Sequence, residues 1–234
     1  MKNNANTPEN PTAEVLASSS AWLETNKKTL IGTVVALFLI VGGYLSYTKL
    51  YQEPREERAQ SQCTQGLSFI AQGDYATALT GDATFLGYEK IAADFSGTDG
   101  GNLANLYAGL CYAHQNKYAE AISYLEKFNP QADQSISAMA LYALANCYAA
   151  EGNLDKAIST FKEAAEQADN STLSPMCLLV AGKLLESQGN AAEALKLYEQ
   201  IKQQYPTAQQ AAPQQVGAAA FAAEIDKYIQ RASK

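Results

Sequence analysis

A single histidine, His114, occurs in 234 residues, and no two of the four cysteines, Cys63, Cys111, Cys147 and Cys177, stand in C-x-x-C spacing. No thiolate and imidazole quartet for zinc can be assembled from them. No Ser/His/Asp or Cys/His set for nucleophilic catalysis is recognisable either. The glycine-rich residues 96–102 follow no strand and carry no Gly-Lys-Ser/Thr, so they read as a connector and not as a phosphate cradle. Positive charge is also short. Beyond Tyr51 there are 13 Lys/Arg against 21 Asp/Glu, a net charge of −8. That excludes a basic nucleic-acid face and a domain lying on anionic lipid. β-branched residues are sparse in the same region while Ala, Leu, Gln and Glu abound, so it should be helical. No enzyme class finds support, and no cofactor or small-molecule substrate is expected.

Charge is missing altogether from residues 29–48, TLIGTVVALFLIVGGYLSYT, between Lys28 and Lys49. At about 1.5 Å per residue a helix of this length spans about 30 Å, the thickness of a bilayer's hydrocarbon core. Trp22 precedes the run, and Tyr44, Tyr47 and Tyr51 crowd its far end as interfacial aromatics do. The run is longer than a signal-peptide h-region and no A-x-A site follows it, so an uncleaved anchor is expected. The expected organisation is a tail at 1–28, a transmembrane helix at 29–50 and one domain at 51–234. The first dozen residues, rich in Asn, Pro and Thr, read as disordered. A helix should begin near Thr12 or Ala13, with Val15, Leu16, Trp22 and Leu23 on one stripe. Flanking charge does not decide orientation: Lys27 and Lys28 lie upstream, and Lys49, Arg55 and Arg58 downstream.

Beyond Pro54 the chain repeats itself. Gly66, Gly109, Ala145 and Gly182 align; three positions later come Phe69, Tyr112, Tyr148 and Leu185. Seven positions later stand Gly73, Asn116, Gly152 and Gly189, and twelve later Ala78, Ala121, Ala157 and Ala194. Leu125, Phe161 and Tyr198 follow at sixteen, where the first copy has Asp82. A small residue lets two helices approach, and the large residue three on fills the same face. The Gly or Asn should end the first helix in a left-handed turn. The pattern resembles the tetratricopeptide repeat, with spacings of 43, 36 and 37 residues against about 34 for that family. Repeats are placed at about 59–96, 102–130, 138–168 and 175–206. In the first, about six extra residues around Thr80 to Phe85 interrupt the second helix, as a surface loop or as a partner contact. Phe221, Ile225, Tyr228 and Ile229 share a helical face, so a capping helix is expected within 207–232, started or kinked by Pro213.

The resemblance implies an all-α solenoid of about four helix pairs whose first helices line a concave groove. Counting six and three before and one after each small residue gives the candidate partner-binding residues. They are Leu103, Leu106 and Leu110 in the second repeat, then Met139, Tyr142 and Asn146 in the third. The fourth repeat supplies Met176, Leu179 and Lys183. The family's carboxylate clamp uses Lys and Asn here; only Asn146 and Lys183 are present, so that clamp looks absent. Cys111 and Cys147 hold equivalent places on successive repeats, about 8–10 Å apart by helix packing. That exceeds the reach of a disulfide, so both read as small packing residues. His114 should lie solvated at a helix end.

The order of parts is similar to one bacterial family in particular. From Trp22 to Gln60 an aromatic and Asn-Lys precede a Gly/Val/Leu-rich span, followed by Tyr and a charged helical run. With the acidic repeats behind it, this resembles the YfgM-type ancillary subunits of the SecYEG translocon. The resemblance implies a single-pass inner-membrane protein with a cytoplasmic N-terminus and a periplasmic repeat domain. It implies work beside SecYEG with a membrane-anchored periplasmic folding factor, handling newly translocated chains. The competing class is a repeat scaffold for envelope assembly or cell division.

Overall fold

The computed structural model describes residues 11–130, 133–206, 208 and 218–233. Among them every regular element is helical. The chain divides into two units, one ending at Pro54 and the other starting at Arg55.

In the first unit α1 (Pro11–Tyr47) is followed by a π-helical turn, Thr48–Gln52. The apolar run lies bare: its hydropathic window averages 2.0 with none of it buried, and Phe38, Leu39 and Ile40 are about 70% exposed. This helix is long and apolar enough to cross a membrane, which would cover such side chains. The disorder expected for the first dozen residues falls largely outside the described residues. The side chains of Val15, Leu16 and Leu23, the expected stripe, are also outside what is described.

The second unit uses α2 (Glu53–Ala71), α3 (Tyr75–Thr80), α4 (Tyr88–Asp94), α5 (Asp99–His114), α6 (Tyr118–Leu125), α7 (Gln134–Ala150), α8 (Leu154–Ala168), α9 (Leu173–Ser187), α10 (Ala191–Gln204) and α11 (Ala218–Ala232). From α4 onward each helix packs on the next, the signature of a solenoid. Four equivalent turns make the pairs. Gly73, Asn116, Gly152 and Gly189 all have positive φ, between 60° and 79°. The next residue's N–H then reaches back to the large residue three after each small one. The bonds are Asp74 to Phe69, Lys117 to Tyr112, Asn153 to Tyr148 and Asn190 to Leu185, at 2.9–3.0 Å. This is the Schellman closure, which satisfies an otherwise orphaned carbonyl and folds the chain back as a hairpin. The four alanines five residues beyond the turns are fully buried.

The small residues do what their spacing predicts. A β-carbon on Gly109 would meet Leu125, and one on Gly182 would meet Tyr198. In the first pair Gly66 faces both Tyr88 and Phe85. Tyr88 therefore takes the place that Asp82 holds by count, and its hydroxyl donates to the Cys63 carbonyl at 3.0 Å.

Two expectations change here. The extra residues after Thr80 are not a bare surface loop. They split the second helix into α3 and α4 and return a core side chain, Phe85, 1% exposed and stacked on Phe69. Asp82 accepts from the Thr84 and Phe85 N–H groups, and Gln62 accepts from Leu86, so hydrogen bonds hold the bend. Nor are Gly100 and Gly101 a linker. Both are buried in the first turn of α5. Glu56 caps that turn, accepting from the Asp99 and Gly100 N–H groups at 2.7 and 2.8 Å, and Thr98 accepts from Gly101. A side chain at Gly100 would strike Ala59, so glycine here permits α2 and α5 to touch.

At the C-terminal end α11 lays Phe221 and Ile225, 3% and 1% exposed, on the apolar side of α10, with Tyr228 and Ile229 half-buried beside them. A solenoid's last repeat needs such a cover. Pro213 lies outside the described residues.

Candidate partner-binding groove

The hairpin turns place α5, α7 and α9, the first helices of three pairs, side by side. Between them lies an open apolar cavity of about 1000 Å³. Five of the nine residues expected to line a groove are there: Leu110, Met139, Tyr142, Asn146 and Met176. Met139, on the middle helix α7, is 61% exposed.

The other four are elsewhere. Leu106 and Leu179 are 5% and 3% exposed and belong to the core, which corrects their expected accessibility. Residues three apart share a helical face, so these leucines follow Gly109 and Gly182 into the contact with the partner helix. Tyr142 has the same phase, but its larger ring packs edge-on against Phe161, 5.5 Å between centroids, and still reaches the cavity. Leu103 is half-buried between the two core clusters. The Lys183 ammonium sits 5.2 Å from the Tyr228 ring centroid, on the capping helix.

Sequence counting missed His114, Tyr118, Asn170 and Leu173, which also line the cavity. They come from helix ends and inter-repeat connections, where a register counted from the small residue does not run. His114 ends α5 exposed to solvent, its ring stacked on Tyr75 at 4.5 Å and 3°.

The lining holds no Lys, Arg, Asp or Glu. Three of its polar side chains bond within the chain itself. Asn146 donates to the Tyr142 carbonyl at 2.8 Å. The Asn170 side chain accepts from the Thr172 and Leu173 N–H groups and donates to the Ala168 carbonyl. The Tyr118 hydroxyl donates to Asn116. Cys147 lies on the floor, 2% exposed, and burial pushes its thiol up to about 11. Burial likewise raises Cys63, Cys111 and Cys177 to about 12. Thiols held protonated in this way are packing groups, not nucleophiles. Among the described residues no group of three His, Cys, Asp or Glu could hold a metal ion.

Behind the groove, consecutive repeats are tied by tyrosine hydroxyls. Tyr112 donates to Glu89, and Tyr148 to Glu126, each carboxylate lying one pair back. Burial first, and then the Glu126 carboxylate, hold the Tyr148 phenol up at about 12. At the far end Glu186 accepts from Tyr198 at 2.9 Å and from two nitrogens of Arg231 on α11. The Arg231 hydrogen bonds hold the Glu186 carboxyl below its ordinary 4.5. Lys202 and Asp226 pair at 2.7 Å beside them.

Residues 20–216 match the tetratricopeptide repeat-like domain family, and the chain belongs to that family. Among solved structures it is similar to the TPR-like repeats assigned to a Podosopora anserina kinesin light chain. The TM-score is 0.54 at 16% identity, over 76% of this chain and 86% of that one. A single-residue variant of the same protein aligns with the same score and identity, over 85% of its length. At this identity the likeness shows the fold alone. No curated protein matches the chain.

Proposed function

We propose that this member of the tetratricopeptide repeat-like family is a membrane-anchored protein-interaction module whose groove between α5, α7 and α9 takes a protein partner. The observation that carries the reading is Met139, 61% exposed in the lining of an uncharged apolar cavity. Large apolar side chains are left bare in such a concavity where something binds. Leu110, Tyr142, Asn146 and Met176 complete the contact surface. Leu103 and Lys183 lie outside the cavity lining. The domain organisation that goes with this reading is a tail at 1–28, an anchor at 29–50 and the repeat domain at 51–234.

The resemblance to the YfgM-type family supports a finer statement: the repeat domain is periplasmic and works beside SecYEG with a membrane-anchored folding factor. Protease added to spheroplasts tests the topology. Digestion of the repeat domain in intact spheroplasts is expected; protection until lysis overturns the periplasmic placement. Purification of the full chain from detergent tests the partners. SecYEG subunits should accompany it; their absence, with envelope-assembly or division proteins in their place, supports the scaffold reading instead.

A further inference from the structure

We infer that the occupant of the groove is an amphipathic α-helix, with an uncharged apolar face turned into the cavity and a basic outer face. This rests on the reading of the groove as a partner site and names the chemistry of the partner. Three observations lead to it.

The first is hydrogen bonding. An extended peptide brings a free N–H and C=O at every residue and needs donors and acceptors from the wall. Three of the side chains that could supply them are engaged within the chain, and His114, Ser135 and Thr172 stand only at helix ends, too few for a run of backbone pairs. Asn146 bonds its own helix, Asn170 closes the turn before α9, and Tyr118 bonds Asn116. A strand lying here would leave buried backbone groups unpaired, which is costly. A helix satisfies its backbone internally and presents only side chains, the helix-in-groove mode of recognition.

The second is charge. Asp, Glu, Lys and Arg are all missing from the lining, so a charged side chain entering it would lose its hydration and find no counter-ion. The entering face is therefore apolar. The domain around the groove carries a net charge of −8 beyond Tyr51. Complementarity with that field places Lys or Arg on the face that stays in solvent. The third is the wall itself. Met139, Tyr142 and Asn146 stand at i, i+3 and i+7 of α7, and Leu110 and Met176 flank them from α5 and α9. Unbranched methionine side chains adapt to a ridge of apolar residues of varied shape.

The test uses the full chain in nanodiscs of zwitterionic lipid, with empty discs subtracted. The probes are labelled 18-residue peptides of one Leu/Ala/Lys/Gln composition. In one, leucines recur at i, i+3, i+4 and i+7; in the other they alternate with polar residues. A third peptide is the helical one with Glu for Lys. The helical Lys peptide should bind about tenfold or more tighter than the alternating one and the Glu version. Met139→Glu and, separately, Met176→Glu should weaken it about tenfold, with melting unchanged for the exposed Met139. Leu67→Glu, exposed on α2 and outside the groove, should change nothing. Equal binding of helical and alternating peptides, both lost in Met139→Glu, overturns the helix and leaves the groove reading standing. Equal binding of the Lys and Glu versions overturns the basic face. Binding indifferent to both methionine variants overturns the groove reading as well.

Discussion

Gly182 on α9 lies so close to Tyr198 on α10 that a β-carbon on the glycine would sit 2.4 Å from the ring. The tyrosine is fully buried and its hydroxyl is held by Glu186, so the ring has nowhere to go. Gly182→Ala should therefore lower stability by about 1–3 kcal/mol, the usual cost of overfilling a packed interface. Urea titration followed at 222 nm reads it. A variant as stable as the parent shows that the α9–α10 pair can spread.

Phe85 gives a sharper test of the first repeat. If the residues after Thr80 were a surface loop, Phe85→Ala would change stability by no more than about 0.5 kcal/mol. As a side chain 1% exposed, packed on Phe69 and Tyr88, it should cost about 3–5 kcal/mol. Differential scanning of the two proteins separates these values.

Leu106, Leu179 and Met139 come from one counting rule and separate in the structure. Leu106→Glu and Leu179→Glu each bury an unpaired charge and should destabilise by several kcal/mol, on the order of 3–5. Met139→Glu, on an exposed side chain, should stay within about 0.5 kcal/mol. Thermal melts of the three single variants check this directly. A melt of Leu179→Glu that matches the parent would return that residue to the groove.

Glu186 makes the hold on the capping helix pH-dependent. Its carboxyl is depressed in the folded state by the Arg231 hydrogen bonds above all. A depressed carboxylate contributes its stability above the unfolded value and loses it as pH falls through the folded value. The stability gap between the parent and Glu186→Gln should be full at neutral pH and close as pH drops below the ordinary 4.5. Melts at pH 7, 5 and 3 measure it; a gap that is constant across the three assigns the effect to packing alone.

The amino-acid order by itself determined the helical class, the apolar span and the repeat. The reason is that the small residue, the turn residue and the alanine act locally. A Gly or Asn seven positions along closes its own helix by a bond five residues back, and such bonds need no distant partner. Gly73, Asn116, Gly152 and Gly189 are therefore visible in the sequence as turns. Tertiary structure decided which of the counted side chains face the groove. Tyr142 and Leu179 have the same phase along their helices, yet one reaches the cavity and the other is covered, because that depends on side-chain size against the neighbouring pair. It also decided that Gly100 is an interface residue and Phe85 a core one. Their roles depend on Ala59, 41 positions before Gly100, and on Gly66, 19 before Phe85. The Glu186–Arg231 tie belongs to the same kind, 45 residues apart in the chain. Charged side chains carry no periodic signal, and only the docking of α11 brings those two together.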